Sequence, residues 1–162
     1  MSVPTYAWVL PRPSKSKYPG SFPLHFEQRL LKLLQLNEHA AIIQPFGGKA
    51  ELGVKVDLAR TVKPTIIADA HCLPLKDEAA DLVILDPPYS NGYSTSLYGI
   101  KQQLSMKRYL SEALRVLKPG GFLVFYHLYP IPRPKNCSLN CRILLQTRIY
   151  HKLRWVGIFK KA

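Results

Sequence analysis

Short apolar segments that end at a glycine pair or near an acidic residue constrain the fold of this chain most strongly. Four of them follow one another between residues 40 and 86, with the sequences AAIIQPFGG, GVKVDLA, TIIADAH and DLVILD. Each has the length and apolar content of a buried strand. A fifth and more apolar segment, GFLVFYH, follows a long helical pattern. This succession predicts an α/β fold whose ligands bind at the carboxyl ends of parallel strands.

Two segments space their apolar residues as an amphipathic helix does. They are residues 21–36, SFPLHFEQRLLKLLQL, and residues 101–117, KQQLSMKRYLSEALRVL, the second of which KPGG is expected to stop. Residues 141–150 and 154–161 predict a final antiparallel pair of strands. Residues 1–20 are basic and rich in proline, so we expect an extended arm or a strand at the edge of the sheet.

The chain has the length of one domain and the charge of a protein that binds a polyanion. Its 162 residues suffice to bury a core without disulfides or metal, so we expect a single domain over residues 1–162. The 23 Lys and Arg residues against 10 Asp and Glu residues give a net charge of +13, which favours a nucleic acid as partner. No apolar run reaches membrane-spanning length, so no membrane partner is expected.

The three cysteines predict a reducing, cytoplasmic location rather than a disulfide framework. Cys137 and Cys141 lack a second pair of ligands at metal-binding spacing, so no metal site is predicted. The first apolar patch precedes the basic residues, the reverse of the order in a secretory signal, and we therefore expect no such signal.

The fourth apolar segment runs directly into the sequence DPPY, residues 86–89. Prolines fix their own φ angles and have no N–H to donate, so the strand must end there in a rigid turn with outward-pointing carbonyls. The next ten residues, SNGYSTSLYG, suit either a loop that closes over a ligand or an inert surface loop.

Four stretches together resemble the class I S-adenosylmethionine-dependent methyltransferases. DPPY matches the (D/N/S)PP(Y/F) motif of enzymes that methylate the amines of nucleic-acid bases, in the form most familiar from DNA adenine-N6 methyltransferases. Residues 18–31 resemble their methionine-end motif, residues 44–53 their cofactor loop, and residues 115–125 the helix-turn-strand of the wider superfamily. The resemblance implies a Rossmann-like sheet and S-adenosylmethionine as cofactor.

The resemblance also implies that residues 86–89 form a catalytic clamp. The exocyclic amine of a base is a weak nucleophile because its lone pair is delocalised into the ring. The Asp86 carboxylate and the Pro87 carbonyl would each accept one amine hydrogen, and the rigid turn that Pro88 completes would set the aim of the nitrogen. Tyr89 would stack on the base, which contributes about 1–3 kcal/mol. The base must be flipped from a duplex or presented in a single strand.

The cofactor needs close backbone approach and acceptors for its ribose hydroxyls and its adenine amine. Gly47 and Gly48 allow the close approach. Asp57 and Asp69 end successive strands and are expected to accept from the ribose and the adenine, respectively. The other residues expected to line the cofactor pocket are Phe22, Pro23, Pro45, Phe46, Ala70 and Asp86.

The chain departs from the family pattern at two places. Gln44 stands where the family usually has an acidic residue at the start of the cofactor loop. Neither the connection from Gly48 to Val54 nor that from Asp57 to Thr65 has room for a crossover helix. We therefore expect an abbreviated sheet in which two helices are missing and some neighbouring strands pair differently.

The predicted function is methyl transfer to adenine N6 in DNA. The alternatives are cytosine N4 in DNA, adenine N6 in RNA, a glutamine side chain of a protein, and a methyltransferase-like nucleic-acid-binding subunit that has lost cofactor binding. A homodimer would widen the small footprint on DNA. His127, at the end of the strongest strand, is expected to be a satisfied core or surface histidine rather than part of the site.

Overall fold

The computed structural model describes residues 2–13, 21–89, 104–148 and 151–162. They form an eight-stranded sheet with the order β1-β7-β8-β6-β5-β2-β3-β4. The strands are β1 Thr5–Val9, β2 Ile42–Pro45, β3 Val54–Asp57, β4 Ile66–Ile67, β5 Ala80–Leu85, β6 Leu117–His127, β7 Cys137–Gln146 and β8 Arg154–Lys161. The helices are α1 Phe26–Leu34 and α2 Met106–Val116, with a 3-10 turn at Arg60–Val62.

All neighbouring strands are parallel except β8, which is antiparallel to both β6 and β7. The carboxyl ends of β2 to β6 therefore lie at one edge of the sheet, together with the amino end of β8. The predicted α/β sheet and its final antiparallel pair are confirmed. Within the proline-rich arm, β1 is an edge strand in register with β7 from Thr5 opposite Arg142 to Val9 opposite Gln146. Residues 14–20 of the arm and the SNGYSTSLYG segment lie outside the described residues.

Each helix covers one face of the sheet. Phe26 and Leu30 of α1 are fully buried in the core of one face, and Ala113 and Val116 of α2 in the core of the other. Burying a large apolar side chain contributes about 1.5–3 kcal/mol, so the two helices hold the sheet from both sides. Among the described helices, none is long and apolar enough to cross a membrane.

The connection between β2 and β3 is unusually short for parallel strands. No helix lies in residues 46–53, as predicted, yet β2 and β3 pair side by side, with Ile43 opposite Val54. The prediction that neighbouring strands pair differently is therefore wrong. The tight crossover is allowed by Gly53, where φ is 67° and any side chain would overlap the backbone of Ile42. The β3 to β4 connection is equally reduced, to a single 3-10 turn.

Two element boundaries differ from those expected. The segment TIIADAH forms only the two-residue strand Ile66–Ile67, because its later residues turn through hydrogen bonds to Asp69. Helix α2 ends at Val116, before KPGG, which belongs to β6. The end of α2 is fixed by the Lys161 ammonium, which donates to the carbonyls of Leu114 and Leu117 at 2.9 and 2.6 Å. Cations at a helix carboxyl terminus are stabilising because they face unpaired carbonyls.

Candidate active site

The DPPY turn borders a pocket at the carboxyl edge of the sheet, where β5 ends at the fully buried Leu85, and it contributes Asp86 and Tyr89, but neither proline, to the pocket lining. Pro87 is buried, and Asp86 and Tyr89 are partly exposed to the pocket. The residues that line it come from the amino-terminal arm, the β5 end, β6, the β7 end and the β8 start. They are Arg12, Ser21, Pro23, Asp86, Tyr89, Tyr126, Thr147, His151 and Arg154, and hereafter this is called the clamp pocket. A single carboxylate thus faces two arginines and a histidine.

Asp86 has an unusual protonation equilibrium for a carboxyl group. Its removal from water raises its pKa to about 8, although the positive charge of Arg154 lowers it. At neutral pH the carboxyl group is therefore largely protonated, and it ionises as the pH rises through about 8. A pKa near the working pH is suited to accepting a proton in a reaction.

Tyr89 lies between an arginine and a histidine. The Arg154 guanidinium is 5.3 Å from the centroid of the Tyr89 ring, a cation–π distance. The His127 ring meets Tyr89 edge to face at 5.2 Å, and Tyr129, more than half exposed, meets His127 at 4.5 Å. These aromatic rings form a continuous series from the clamp to the surface.

His127 was expected to be a satisfied core or surface histidine, and the structure places it in the core beside the Tyr89 ring. The side chain is buried beside Tyr89, and its Nδ1 has no hydrogen-bond partner within the described part of the chain. Burial, together with the positive charge of Arg154, lowers the pKa of His127, so the ring is neutral at neutral pH. A neutral imidazole carries an acceptor nitrogen available to a ligand.

The predicted cofactor loop and Asp57 are brought together. The Gly48 N–H donates to the Asp57 Oδ2 at 3.0 Å and the Ala59 N–H donates to its Oδ1 at 2.9 Å. A carboxylate has about four acceptor positions, so two remain for ribose hydroxyls. Phe46 adopts a positive φ of 60°, a conformation that costs energy for a non-glycine residue and is typical of functional loops.

Glycine is required at position 47, because a side chain there would place its Cβ 2.7 Å from the Gln44 carbonyl oxygen. Pro45, the last residue of β2, precedes this loop and is buried. The absence of a side chain at Gly47 therefore lets the loop pack closely against Gln44 and Lys55 at the carboxyl end of β2.

Asp69 belongs to a chain of hydrogen bonds that connects it through His71 to Ser105. Its Oδ1 accepts from the His71 backbone N–H at 2.9 Å and lies 2.7 Å from the His71 Nδ1. The Ser105 N–H donates to the His71 Nε2 at 2.9 Å, which fixes the proton on Nδ1. Asp69 was predicted to accept from the adenine amine, and the structure shows that one of its oxygens already holds His71. Ala70, between them, is buried in the core.

The methionine-end motif adjoins the clamp. Pro23 and Ser21 line both the clamp pocket and a second pocket of about 200 Å³, which Phe22, Glu27, Lys49 and Glu51 also line. Phe22 packs against Phe26 and Tyr126, with ring centroids at 4.9 and 5.3 Å. The segment from Ser21 to Pro23 thus lies between the clamp pocket and the second pocket.

Glu27 is the residue that the sequence reasoning missed beside Gln44. Its carboxylate is buried on α1 and accepts from the Gln44 Nε2 at 2.5 Å, the Glu51 N–H at 2.9 Å and the Leu52 N–H at 3.1 Å. A carboxylate from α1 therefore lies beside the side chain of Gln44, the position where the family usually has an acidic residue. Its signal in the sequence is an acidic residue on the apolar stripe of α1, seven positions before the buried Leu34.

Arg154 and Arg12 were also missed as members of the site. The sequence YHKLRW, which contains Arg154, places basic residues beside aromatic ones, and that pattern was the available signal. Nothing in the local sequence places Arg12 in the clamp pocket, because the arm reaches it through pairing of β1 with β7.

The sequence is similar to a methyltransferase family model and to one protein of known name. Residues 49–125 match the family model described as a methyltransferase domain. The chain is 31% identical over 110 residues to ribosomal RNA-processing protein 8 of Rattus norvegicus, a match that covers 63% of this chain and 21% of that protein. The chain therefore spans about a fifth of the length of this relative.

Two solved structures share the fold. A SAM-dependent methyltransferase from Aquifex aeolicus superposes with a TM-score of 0.55 at 11% identity, covering 85% of this chain and 90% of that one. The trans-methyltransferase CalH, solved in complex with SAH, superposes with a TM-score of 0.54 at 14% identity, covering 82% of this chain and 55% of that one. The glycine loop and the free acceptor positions of Asp57 fit the cofactor of such proteins. Residues 49–125 thus resemble a methyltransferase domain, and the chain shares the fold of these solved methyltransferases.

Proposed function

We propose that this protein transfers the methyl group of S-adenosylmethionine to the exocyclic amine of a nucleic-acid base, with adenine N6 as the first candidate. The observation that supports it is the clamp pocket, where a carboxyl group with a pKa of about 8 lies beside the partly exposed ring of Tyr89 and a cluster of cations. An amine needs acceptors for its hydrogens, and a base needs an aromatic face to stack on.

The clamp residues act on the amine in the following way. The Asp86 carboxylate and the Pro87 carbonyl each accept one hydrogen of the amine, which aims the nitrogen lone pair toward the cofactor side at Pro23. When bound, the cofactor supplies an electrophilic methyl group on a positively charged sulfur. Positive charge brought near Asp86 favours its carboxylate form. After the nitrogen–carbon bond forms, the nitrogen holds one excess proton, and Asp86 is placed to accept it.

RNA and DNA are both candidate substrates, and RNA is the one to test first. The form of the DPPY motif favours DNA. The similarity to a protein named for ribosomal RNA processing now favours RNA.

The test is transfer of labelled methyl from S-adenosylmethionine to unmodified RNA and DNA, followed by mass spectrometry of the nucleosides. N6-methyladenosine formed by the wild type and lost in Asp86→Asn supports the proposal. Glu38→Gln, which neutralises an exposed carboxylate away from the pocket, is the matched control and should retain activity. A ring-methylated product, or activity unchanged in Asp86→Asn, would overturn the assignment of the clamp.

A second candidate is a nucleic-acid-binding subunit that does not bind the cofactor. It is favoured by the replacement of the cofactor-loop acid by Gln44, whose Oε1 is buried without a hydrogen-bond partner among the described residues. Titration calorimetry with S-adenosylmethionine separates the two candidates. Saturable binding supports the enzyme, and no heat of binding together with retained oligonucleotide binding supports the subunit.

A further inference from the structure

A second concentration of positive charge lies at the opposite edge of the sheet from the clamp. It is an open groove of about 610 Å³ between the start of β7 and the end of β8. The side chains that line it include Arg133, Lys135, Asn136, Ser138, Lys160 and Lys161, and none of its lining residues is Asp or Glu. Hereafter this is called the basic groove.

The cations of the basic groove are distinguished by their concentration in one concave surface without an acidic side chain among the lining residues. In the part of the chain that the structure describes, Arg133, Lys135 and Lys160 form no ion pair, whereas Arg115 and Lys118 pair with carboxylates. Lys161 is held by the two carbonyls at the end of α2. Three exposed, uncompensated charges in one concave surface create a positive potential that attracts a polyanion.

The groove is also built on rigid backbone. The Cys137 N–H donates to the Pro134 carbonyl at 3.3 Å, which closes a turn with Lys135 and Asn136 at its centre. The Ala162 N–H donates to the Asn136 carbonyl at 2.9 Å and ties this turn to the end of β8. The Lys160 ammonium lies 5.8 Å from the centroid of the Phe122 ring, a cation–π distance. The backbone of the groove therefore needs little rearrangement when an anion binds.

We propose that the basic groove binds the phosphate backbone of the nucleic-acid substrate at a distance from the modified base. This inference rests on the proposed substrate class and not on catalysis. A nucleic acid is favoured over an anionic membrane because the groove exposes cations and amide groups and none of the exposed large apolar side chains of the described chain lies in it.

The position of the groove sets the length of nucleic acid required. Arg154 at the clamp and Lys160 at the groove are six residues apart on β8, which is about 20 Å at the rise of a strand. A stacked strand advances about 3.4 Å per nucleotide, so about six nucleotides of such a strand separate the modified base from the phosphates in the groove.

The experiment measures oligonucleotide affinity by fluorescence anisotropy in the absence of cofactor. The groove variant combines Arg133→Gln, Lys135→Gln and Lys160→Gln. The control variant combines Lys32→Gln, Lys63→Gln and Lys76→Gln, three exposed lysines outside the groove, so that both variants lose the same charge.

For a single-stranded RNA of about 20 nucleotides, the groove variant should bind about 10-fold to 100-fold more weakly, and its dependence of log K on log salt should be shallower by about 2. The control variant should lose no more than about threefold. An oligonucleotide of about three nucleotides offers too few phosphates to occupy the groove and the clamp together, so the groove variant should lose less affinity for it than for the RNA of about 20 nucleotides.

Equal losses in the two variants would overturn the proposal, because binding would then follow net charge alone. Groove-dependent binding to vesicles of phosphatidylserine, without any groove effect on oligonucleotides, would overturn it in favour of a membrane. A failure of the proposed function can be distinguished from a failure of the groove proposal. Groove-dependent RNA binding without methyl transfer refutes that function, and methyl transfer by a protein whose groove variant binds RNA normally refutes the groove.

Discussion

The guanidinium of Arg154 lies over the Tyr89 ring, 5.3 Å from its centroid, on a face that a target base would use for stacking. In this arrangement the arginine must move aside, or stack on the far side of the base, before the clamp can be occupied. The same guanidinium lowers the pKa of Asp86, so one side chain affects both stacking and proton acceptance.

Removing the charge of Arg154 should move the pH dependence of methyl transfer. Without the nearby positive charge, the carboxyl group of Asp86 holds its proton to higher pH than the pKa of about 8 in the wild type. The midpoint of kcat/KM against pH is therefore expected to rise in Arg154→Gln and to stay near its wild-type position in Arg154→Lys. A lower rate at every pH with an unchanged midpoint would show that Arg154 acts on binding alone.

Replacing Asp86 by asparagine should abolish activity and stabilise the protein. Methyl transfer is expected to fall at least about 100-fold, because the proton acceptor is lost. A carboxyl group with an unfolded pKa of 3.8 and a folded pKa of about 8 binds more protons when folded, so its contribution to stability falls as pH rises between these values. Asp86→Asn should therefore have a higher Tm than the wild type at pH 8, with the difference vanishing near pH 4.

The check on the stability effect is thermal unfolding at several pH values. Asp57→Asn serves as the comparison, because its carboxylate accepts two backbone N–H groups and its replacement should lower the Tm. If Asp86→Asn were less stable than the wild type at pH 8, the raised pKa would be contradicted.

Glu27→Ala should destabilise the crossover loop and weaken cofactor binding together. Three donors, the Gln44 side chain and the N–H groups of Glu51 and Leu52, lose their acceptor. An unpaired buried donor costs about 1–3 kcal/mol, but the Gln44 Nε2 keeps the Leu52 carbonyl as acceptor and the two N–H groups are only partly buried, so a loss of about 2–5 kcal/mol in the free energy of unfolding is expected.

Urea unfolding and titration calorimetry with S-adenosylmethionine measure the two effects of Glu27→Ala. Lys32→Ala, an exposed residue of the same helix, controls for changes in helix propensity. Normal cofactor affinity in a destabilised Glu27→Ala protein would restrict Glu27 to a structural role.

His71→Ala should loosen the start of α2. The Ser105 N–H would lose its acceptor and Asp69 would lose the His71 ring, which costs about 1–3 kcal/mol locally. Hydrogen exchange of the Ser105 amide is expected to accelerate about tenfold or more, while the amides of β5 keep their protection. His39→Ala, at an exposed position, should leave the exchange unchanged.

The parts of the site that could be predicted from the sequence are those determined by residues close to one another in the chain. The turn at Pro87 and Pro88 is rigid whatever its surroundings, so it was predictable that the strand ends there. Asp57 likewise ends a strand that its own apolar residues specify, and its approach to Gly48 follows from adjacent parallel strands. Local chemistry and strand order were sufficient for both.

The parts that could not be predicted depend on contacts between distant segments. Glu27 meets Gln44 only because α1 packs against β2, and a buried carboxylate there has no strong local signature. Arg154 reaches Asp86 because β8 runs antiparallel beside β6, which brings its start to the edge where β5 ends. The surroundings of His127 likewise depend on distant segments, since its ring contacts Tyr89 as well as the nearby Tyr129.

The short crossover between β2 and β3 also bears on how the chain folds. Ile43 pairs with Val54, which is only 11 positions later (54 − 43), whereas a parallel pair joined through a helix closes a much longer loop. Closing a shorter loop costs less chain entropy, and contacts between near neighbours in sequence favour rapid folding. Losing the first helix therefore gives this sheet a parallel pair of low contact order, able to form early and to template the strands on either side.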